Sequence, residues 1–417
     1  MQNRRNAIYG LLIIILLTGL FTGRAFFFNL AYLLGGLLLV SLIWSLMAVR
    51  WLSISRKTRA RRAQVGGKLD EVFTVQNRAF LPKLWLEVRD ESDLPGHHAS
   101  HVVPALGAKG SYRWYVETPC LVRGEFRLGP ITLLSGDPFG LFLSPRKLAA
   151  TSRIIIYPAT VPVDKIELPV GVLSGGDAER RRAHFITTNA AGVREYVNGD
   201  SFNRIHWASS ARKDRLMVKE FEIDPMADVW MFVDFSRASV VEEPSLRRLN
   251  GDGAVLAKGA GIPPSTEEYA VVIAASLAQY FVDLERALGF VAYVPHREVY
   301  QPERGNRQIL RILETLAIAR SKSTYSLGQM LTLETPYLTR GTTLVIITSS
   351  LDPTWITEAQ ILSRRGIRPM CILIDPSSFG GMTKPDETRA MLRLGKIPSI
   401  VIRQGDDLTA ALAQRPL

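Results

Sequence analysis

The sequence predicts a three-part chain: two N-terminal transmembrane helices, then a small β-sandwich, then a doubly wound α/β domain. Three observations predict it. Two long uncharged apolar runs precede residue 50, short β-branched and aromatic runs broken by turn residues follow, and apolar strands alternate with amphipathic helices in the second half. At 417 residues the chain has room for about two to three folded units, and 47% hydrophobic residues let each bury a core.

Residues 8–23 read IYGLLIIILLTGLFTG and residues 25–49 read AFFFNLAYLLGGLLLVSLIWSLMAV, with only Arg24 between them. The second run exceeds the roughly 20 residues that cross a bilayer core. Residues 1–52 are therefore expected to form a helical hairpin, since lipid-exposed backbone must satisfy its own hydrogen bonds. A cleavable signal peptide is the alternative for the first run, but no small-x-small cleavage site follows it. Residues 1–62 hold nine Lys or Arg and no Asp or Glu, which leaves +3 of the net +12 for the other 355 residues. The basicity thus belongs to the N-terminus, and a nucleic-acid-binding body, which would carry its own basic face, is not expected. Arg4 and Arg5 precede the first run, while Arg50, Arg56, Lys57, Arg59, Arg61 and Arg62 follow the second. Positive flanks stay inside, so a multi-pass location in the inner (cytoplasmic) membrane is expected, with the soluble domains cytoplasmic. Cys120 and Cys371 lie far apart and suit a reducing compartment.

Residues 53–66 read as a basic linker along the membrane surface. Over 67–168, the runs EVFTVQN, LWLEVRD, SYRWYVE, EFRLGPITLL and RIIIYP alternate with turn residues and predict an immunoglobulin-like sandwich. Residues 169–193, rich in Gly, Ala and polar residues, read as a connector. Residues 194–222 form a charged block with six bases, five acids, Tyr196, Trp207 and Phe221. Its nearly cancelling charges suit a stabilising network at a domain joint better than anion capture. Residues 223–417 then alternate strand and helix. VWMFVDF is the first strand, residues 267–288 a long helix capped by Ser265 or Thr266, and TLVIIT (343–348) a central strand, which predicts a mainly parallel sheet covered on both faces.

Ligands approach such a sheet beyond the carboxyl ends of its strands. The loop after the first strand reads DFSRAS, and Asp234 with Ser236 has the spacing that aims a carboxylate and a hydroxyl at a hard cation such as Mg²⁺. It resembles the metal-ion-dependent adhesion motif of von Willebrand factor A domains, Asp-x-Ser-x-Ser. Ala238 replaces the last serine. Thr266 would supply the second-loop threonine, while Ser349 stands where a second aspartate is expected and Asp352 follows three residues later. The expected site is thus Asp234, Ser236, Thr266 and Asp352, in degenerate form, on a domain whose metal site is otherwise vestigial. The first strand-to-helix loop, 237–264, is long enough to mark an insertion. The run HHASH (His97, His98, His101) lacks helix context for zinc and reads as a solvated loop. Cys371 reads as core, no nucleophile elbow appears, and no nucleotide-binding fingerprint is present.

The block residues Arg194, Glu195, Tyr196, Gly199, Asp200, Arg204, Trp207, Arg212 and Lys219, with RGEFRLGP (123–130) and DPFGLF (137–142) upstream, resemble the bacterial domain-of-unknown-function family fifty-eight. His206 stands where such proteins often carry an acid, which speaks against a catalytic carboxylate there. The resemblance implies a membrane-anchored protein with a von Willebrand factor A-like domain that accompanies MoxR-type AAA+ ATPases. Its implied role is that of a non-enzymatic adaptor or scaffold, with the ATPase system or its client as protein partner. The rival expectation is a metal-dependent enzyme of the cell envelope that uses Asp234 and the charged block.

Overall fold

The computed structural model describes residues 2–59, 62–169, 190–197, 205–221, 228–242, 262–294 and 296–416. Two helices open the chain, α1 (Gln2–Thr22) and α2 (Ala25–Ala48), and both are long and apolar enough to cross a membrane. Their large side chains point outward, with Phe21 89% and Leu33 69% exposed. The buried face of α2 is a narrow stripe of Ala31, Leu38, Ser41, Ser45 and Ala48. Small residues there permit close helix approach.

The segment expected as a basic linker is instead structured. Strand β1 (Leu52–Thr58) begins four residues after α2 ends, and β2 (Arg62–Gln64) follows. The reason is period-two alternation: Leu52, Ile54 and Arg56 face inward while β1 pairs antiparallel with β3 (Lys68–Asn77), Leu52 opposite Asn77 and Thr58 opposite Glu71. Strands β4 (Leu86–Asp90), β5 (His101–Val103), β6 (Ser111–Pro119), β7 (Gly124–Leu128), β8 (Ile131–Gly136), β9 (Leu143–Leu148) and β10 (Ser152–Tyr157) complete a strand-rich region. Among the described residues it contains sheets of order β1-β3-β6, β5-β4-β8-β9 and β2-β10-β7. The first two share a core of Phe73, Val75 and Trp114 against Leu86, Val88, Ile131 and Leu133.

A charged cluster lies inside this region. Arg56 pairs with Glu71 and Asp90 and covers the Phe73 ring at 4.8 Å. His97, expected in a solvated loop, is buried between Asp90 (2.7 Å) and Thr118 (2.8 Å). Burial opposes the charge on Asp90, but hydrogen bonds from His97, Ser92 and Arg56 outweigh it and hold the carboxyl below its ordinary pKa. His101 does not reach this cluster. It stacks on Trp114 and Tyr112 instead.

The second half begins with β11 (Ala190–Glu195), α3 (Trp207–Lys213) and β12 (Met217–Phe221), with β11 and β12 paired antiparallel. A mixed sheet follows, built of β13 (Val229–Val233), β14 (Leu288–Val294), β15 (His296–Glu303), β16 (Thr343–Thr348), β17 (Arg368–Ile374) and β18 (Ser399–Ile402). Its order is β15-β14-β13-β16-β17-β18, parallel except for β15 at one edge. Along β13 alternate residues serve opposite faces. Val229, Met231 and Val233 meet α4 (Thr266–Asp283), α5 (Asn306–Ile318) and α9 (Leu408–Leu412). Trp230 and Phe232 meet α6 (Leu327–Glu334), α7 (Thr354–Arg364) and α8 (Asp386–Leu394).

Helix α4 stops five residues short of the expected 288. Glu285 turns left-handed (φ 55°), which frees Leu288 to enter the sheet opposite Val229. Antiparallel β15 was not expected from sequence. Its polar, Pro-containing stretch reads poorly as a strand because it lies at the sheet edge, where one side needs no partner.

The two halves are joined through Arg123, which is 2% exposed. Its guanidinium donates to Glu267 (2.8 Å) and Glu268 (2.9 Å) in the first turn of α4, and to the carbonyls of Leu316 (2.6 Å) and Ala319 (2.8 Å) at the end of α5. Acids suit a helix N-terminus and a cation suits a C-terminus, so one side chain complements two helix dipoles. Tyr157 and Ile166 extend the α/β core, and Val161 N–H donates to Ser276 on α4.

We expect Arg123→Ala to strand two partly buried carboxylates and to cost about 3–5 kcal/mol, read as a lowered melting temperature with new protease cleavage between the halves. Arg123→Lys should recover only part of this, since an ammonium lacks the planar fork.

Candidate functional site at the carboxyl ends of the central strands

The sheet order reverses between β13 and β16, and the crevice outside their carboxyl ends is where ligands approach sheets of this kind. β13 delivers Asp234 there and β16 delivers Thr348. Asp234 is 6% exposed. Its Oδ2 accepts from the Thr348 hydroxyl (2.7 Å) and its Oδ1 from the Ser236 amide (2.9 Å). Burial pushes its carboxyl above the ordinary aspartate pKa, while Thr348, Ser236 and Ser239 pull it partly back. The donors around it are hydroxyls and amides.

The Ser236 hydroxyl meets that of Ser239 at 3.0 Å, and Ser349 donates to the Ser239 carbonyl (2.6 Å). Ser239 thus brings a hydroxyl to Ser236, a role the linear motif gave to position 238. One residue of slack in the loop suffices, a shift that spacing alone cannot reveal. Thr266 joins from the start of α4, where its hydroxyl accepts from the Val241 amide (3.0 Å). Asp352 does not reach the cluster. It is exposed and accepts from the Thr354 amide (3.0 Å) and hydroxyl (2.7 Å) in its own turn. Of the four expected site residues, then, Asp234 and Ser236 are directly bonded, Thr266 adjoins through the loop, and Asp352 stands at the rim. Thr348 and Ser239 were not anticipated. Residues 243–261, most of the expected insertion, lie outside the described residues.

As a resident Mg²⁺ site this set fits poorly. It offers one carboxylate, Asp352 is engaged elsewhere, and among the described residues no three His, Cys, Asp or Glu side chains converge. Cys371 is buried in β17, where burial raises its thiol pKa, and it packs as a core residue of the sheet.

The charged block has its own geometry. His206 caps α3 by accepting from the Ser209 amide (3.1 Å), and Ser210 accepts from the Met217 amide (2.9 Å). Arg215 pairs with Glu195 at the surface, and Tyr196 N–H donates to the Leu216 carbonyl (2.9 Å). Trp207 is 67% exposed and Arg212 is exposed. Gly199, Asp200 and Arg204 lie outside the described residues, as do the side chains of Arg194 and Lys219. The ties between the halves among the described residues include those of Arg123, Arg62 to Glu314 (2.6 Å), Tyr157 to Glu314 (3.4 Å), Val161 to Ser276 and Arg415 to Glu167 (3.3 Å).

Asp234→Asn should reduce the pH dependence of stability. A raised folded-state pKa contributes stability that is fully present below the unfolded value and is lost as pH rises through the folded one. Wild type should therefore lose stability relative to the variant over that rise, measured as the urea midpoint against pH.

Comparison with known proteins agrees with the block as the most distinctive stretch. Residues 192–245 match the family described as "Protein of unknown function DUF58". A Bacillus subtilis relative, described as uncharacterized protein YeaD, is 24% identical over 229 residues, covering 52% of this chain and 56% of that protein. The matched region is thus little more than half of either chain. Among solved structures, proximal thread matrix protein 1 from the mussel byssus aligns at 13% identity and TM-score 0.29 over 45% of this chain and 46% of that one. A CARDB domain from Pyrococcus furiosus aligns at 16% identity and TM-score 0.19 over 25% of this chain and 86% of that one. Neither structural likeness carries an argument about fold or function. The family match rests on the segment that spans the charged block, strand β13 and Asp234, and over it the chain is similar to proteins of the DUF58 family.

Proposed function

We propose that this chain is a membrane-anchored, non-enzymatic adaptor or scaffold whose second half is a von Willebrand factor A-like domain that docks a protein partner. The partner in this reading is a MoxR-type AAA+ ATPase system or its client, and the docking rim is formed by the loops that bear Asp234, Ser236, Ser239, Thr266 and Asp352. The supporting observation is the switch-point loop set, in which one buried carboxylate is held by hydroxyls at the place where a doubly wound sheet receives ligands. The described hydrogen-bond partners of the Asp234 carboxylate are the Thr348 hydroxyl and the Ser236 amide, with no histidine, lysine or cysteine among them, which favours recognition over turnover. The basic flanks of α1 and α2 favour an inner-membrane hairpin with both soluble regions in the cytoplasm, where an ATPase would be met.

A second reading, a metal-dependent envelope enzyme, draws on the same carboxylate, since Asp234 is buried among hydroxyl and amide donors. Crosslinking in native membranes, read by mass spectrometry, separates the two. The adaptor reading expects an ATPase or its client crosslinked to wild type and lost with Asp352→Arg, a rim change away from the core. A reporter at the C-terminus found outside the cytoplasm would overturn it. Divalent-ion binding abolished in Asp234→Ala together with a hydrolytic activity would establish the enzyme instead.

A further inference from the structure

The strand-rich region meets the end of α2 directly. Lys83 Nζ donates to the Met47 carbonyl (2.6 Å), Ser45 and Ser144 hydroxyls meet at 2.9 Å, and Arg146 donates to the Val49 carbonyl (3.1 Å). The Arg78 amide donates to the Trp51 carbonyl (2.8 Å). An apolar groove runs between α2 and the loop 78–84, lined by Val40, Ile43, Trp44 and Met47 on one side and Leu81 and Pro82 on the other. Val40 to Met47 spans about 10 Å of helix. The loop therefore lies beside the last two turns of α2 rather than below its end.

The backbone of this loop is hydrogen-bonded at both ends, and its apolar side chains are exposed. The Asn77 side chain donates to the carbonyls of Leu81 (2.9 Å) and Gly107 (3.0 Å) and accepts from the Ala79 amide (3.0 Å). Lys83 and Leu106 form a two-way backbone bridge. With the backbone so braced, Phe80 is 80%, Leu81 43% and Leu84 44% exposed. The loop 137–143 repeats the pattern near the start of α1, where Arg5 lies over the Phe142 ring at 5.9 Å. Asp137 accepts from the amides of Phe139 (2.9 Å) and Phe142 (2.6 Å), and Phe139 is 55% and Leu143 39% exposed. Basic residues rim the first loop: Arg50 and Arg78 are exposed, and Lys109 lies over the Phe80 ring at 4.6 Å. Trp51, 52% exposed, completes the rim. Aromatic and basic side chains at one level beside an apolar helix are what a headgroup boundary selects.

We propose that the loops 78–84 and 137–143 form a membrane-seating surface, in which Phe80, Leu81, Phe139 and Leu143 enter the headgroup boundary of the leaflet through which α2 emerges. Arg50, Arg78 and Lys109 meet lipid phosphates there. The proposal rests on the reading that α1 and α2 span the bilayer, and it adds that the strand-rich region is held flat on the membrane instead of tethered above it. The continuity of both loops with the helix pair selects lipid over a protein partner. Burial lowers the pKa of Lys83, which fits its place against the Met47 carbonyl in a low-dielectric seam.

The test uses the full chain in vesicles of phosphatidylcholine and phosphatidylglycerol, with an environment-sensitive NBD label at single introduced cysteines. Cys120 and Cys371 are both buried, so surface cysteines can be labelled selectively. Phe80→Cys and Phe139→Cys should show blue-shifted emission and loss of intensity with a nitroxide near the glycerol end of the lipid chain. Leu39→Cys, on the outer face of α2, should be quenched by a nitroxide at mid-chain, and Glu117→Cys, on a distant part of β6, by neither. Quenching at Leu39 with none at Phe80 and Phe139 overturns the proposal while leaving the spanning helices in place. Protection of Phe80 from aqueous iodide without quenching by lipid nitroxide also overturns it, in favour of a second copy covering the patch. Absence of quenching at Leu39 overturns the spanning reading, and the seating surface with it.

Discussion

The guanidinium of Arg123 complements two helix ends at once, binding the acids that begin α4 and the carbonyls that end α5. Much of the remaining structure depends on that placement. Helix α4 begins with Thr266, one residue before Glu267, and the turn after α5 carries Ser323, whose backbone bridges to Ser236. The side chain that fastens the strand-rich region is therefore linked through short stretches of chain to the loops around Asp234. A buried cation with two carboxylate partners and three carbonyl partners has no cheaper alternative geometry, because leaving any of those charges unpaired in a dry interface costs several kcal/mol. The relative position of the two halves is thereby defined at the end of the sheet that carries the candidate site.

A second constraint acts at the other end of the strand-rich region. Helix α2 passes into β1 through a three-residue turn with Trp51 in the left-handed region, and Lys83, Ser144 and Arg146 fasten that junction. A helix fixed in a bilayer would then orient the first sheet, and through Arg123 the second domain. The internal cluster of Arg56, Glu71, Asp90 and His97 lies within the same region. It ties β1, β3 and β4 together by ion pairs and holds the 91–100 turn by hydrogen bonds, beside the Phe73–Trp114 core. Orientation is thus transmitted by paired buried charges, whose directional bonds resist the sliding that apolar packing alone would tolerate.

Several features were legible in the residues. The two apolar runs gave the helix pair, alternation around Phe73 and Val75 gave β3, and continuous apolar runs gave β13, β16 and β17. The DFSRAS loop pointed to Asp234 and Ser236, and the structure joins them. Strand β15 was hidden by its polar edge composition. Helix α6 was missed although Ser326 and Gln329 form a capping box that sequence could have revealed. The segment after α2 was misread because its charges resemble a solvated linker, whereas Arg56 buries its charge against carboxylates distant in sequence.

What the sequence by itself determined is local: hydrophobic period, turn chemistry, the charge of the N-terminal flanks and the short spacing from Asp234 to Ser236. These are set by neighbours within a few residues, so they can be read along the chain. Only the tertiary structure decided that Ser239 and Thr348 complete the cluster, that Asp352 stays at the rim, that His97 is buried, and that Arg123 joins the halves. Each of those outcomes pairs residues far apart in the chain or turns on a one-residue loop shift. Desolvation and geometry, which arise only when the sheets pack, choose among partners that the linear order leaves equivalent.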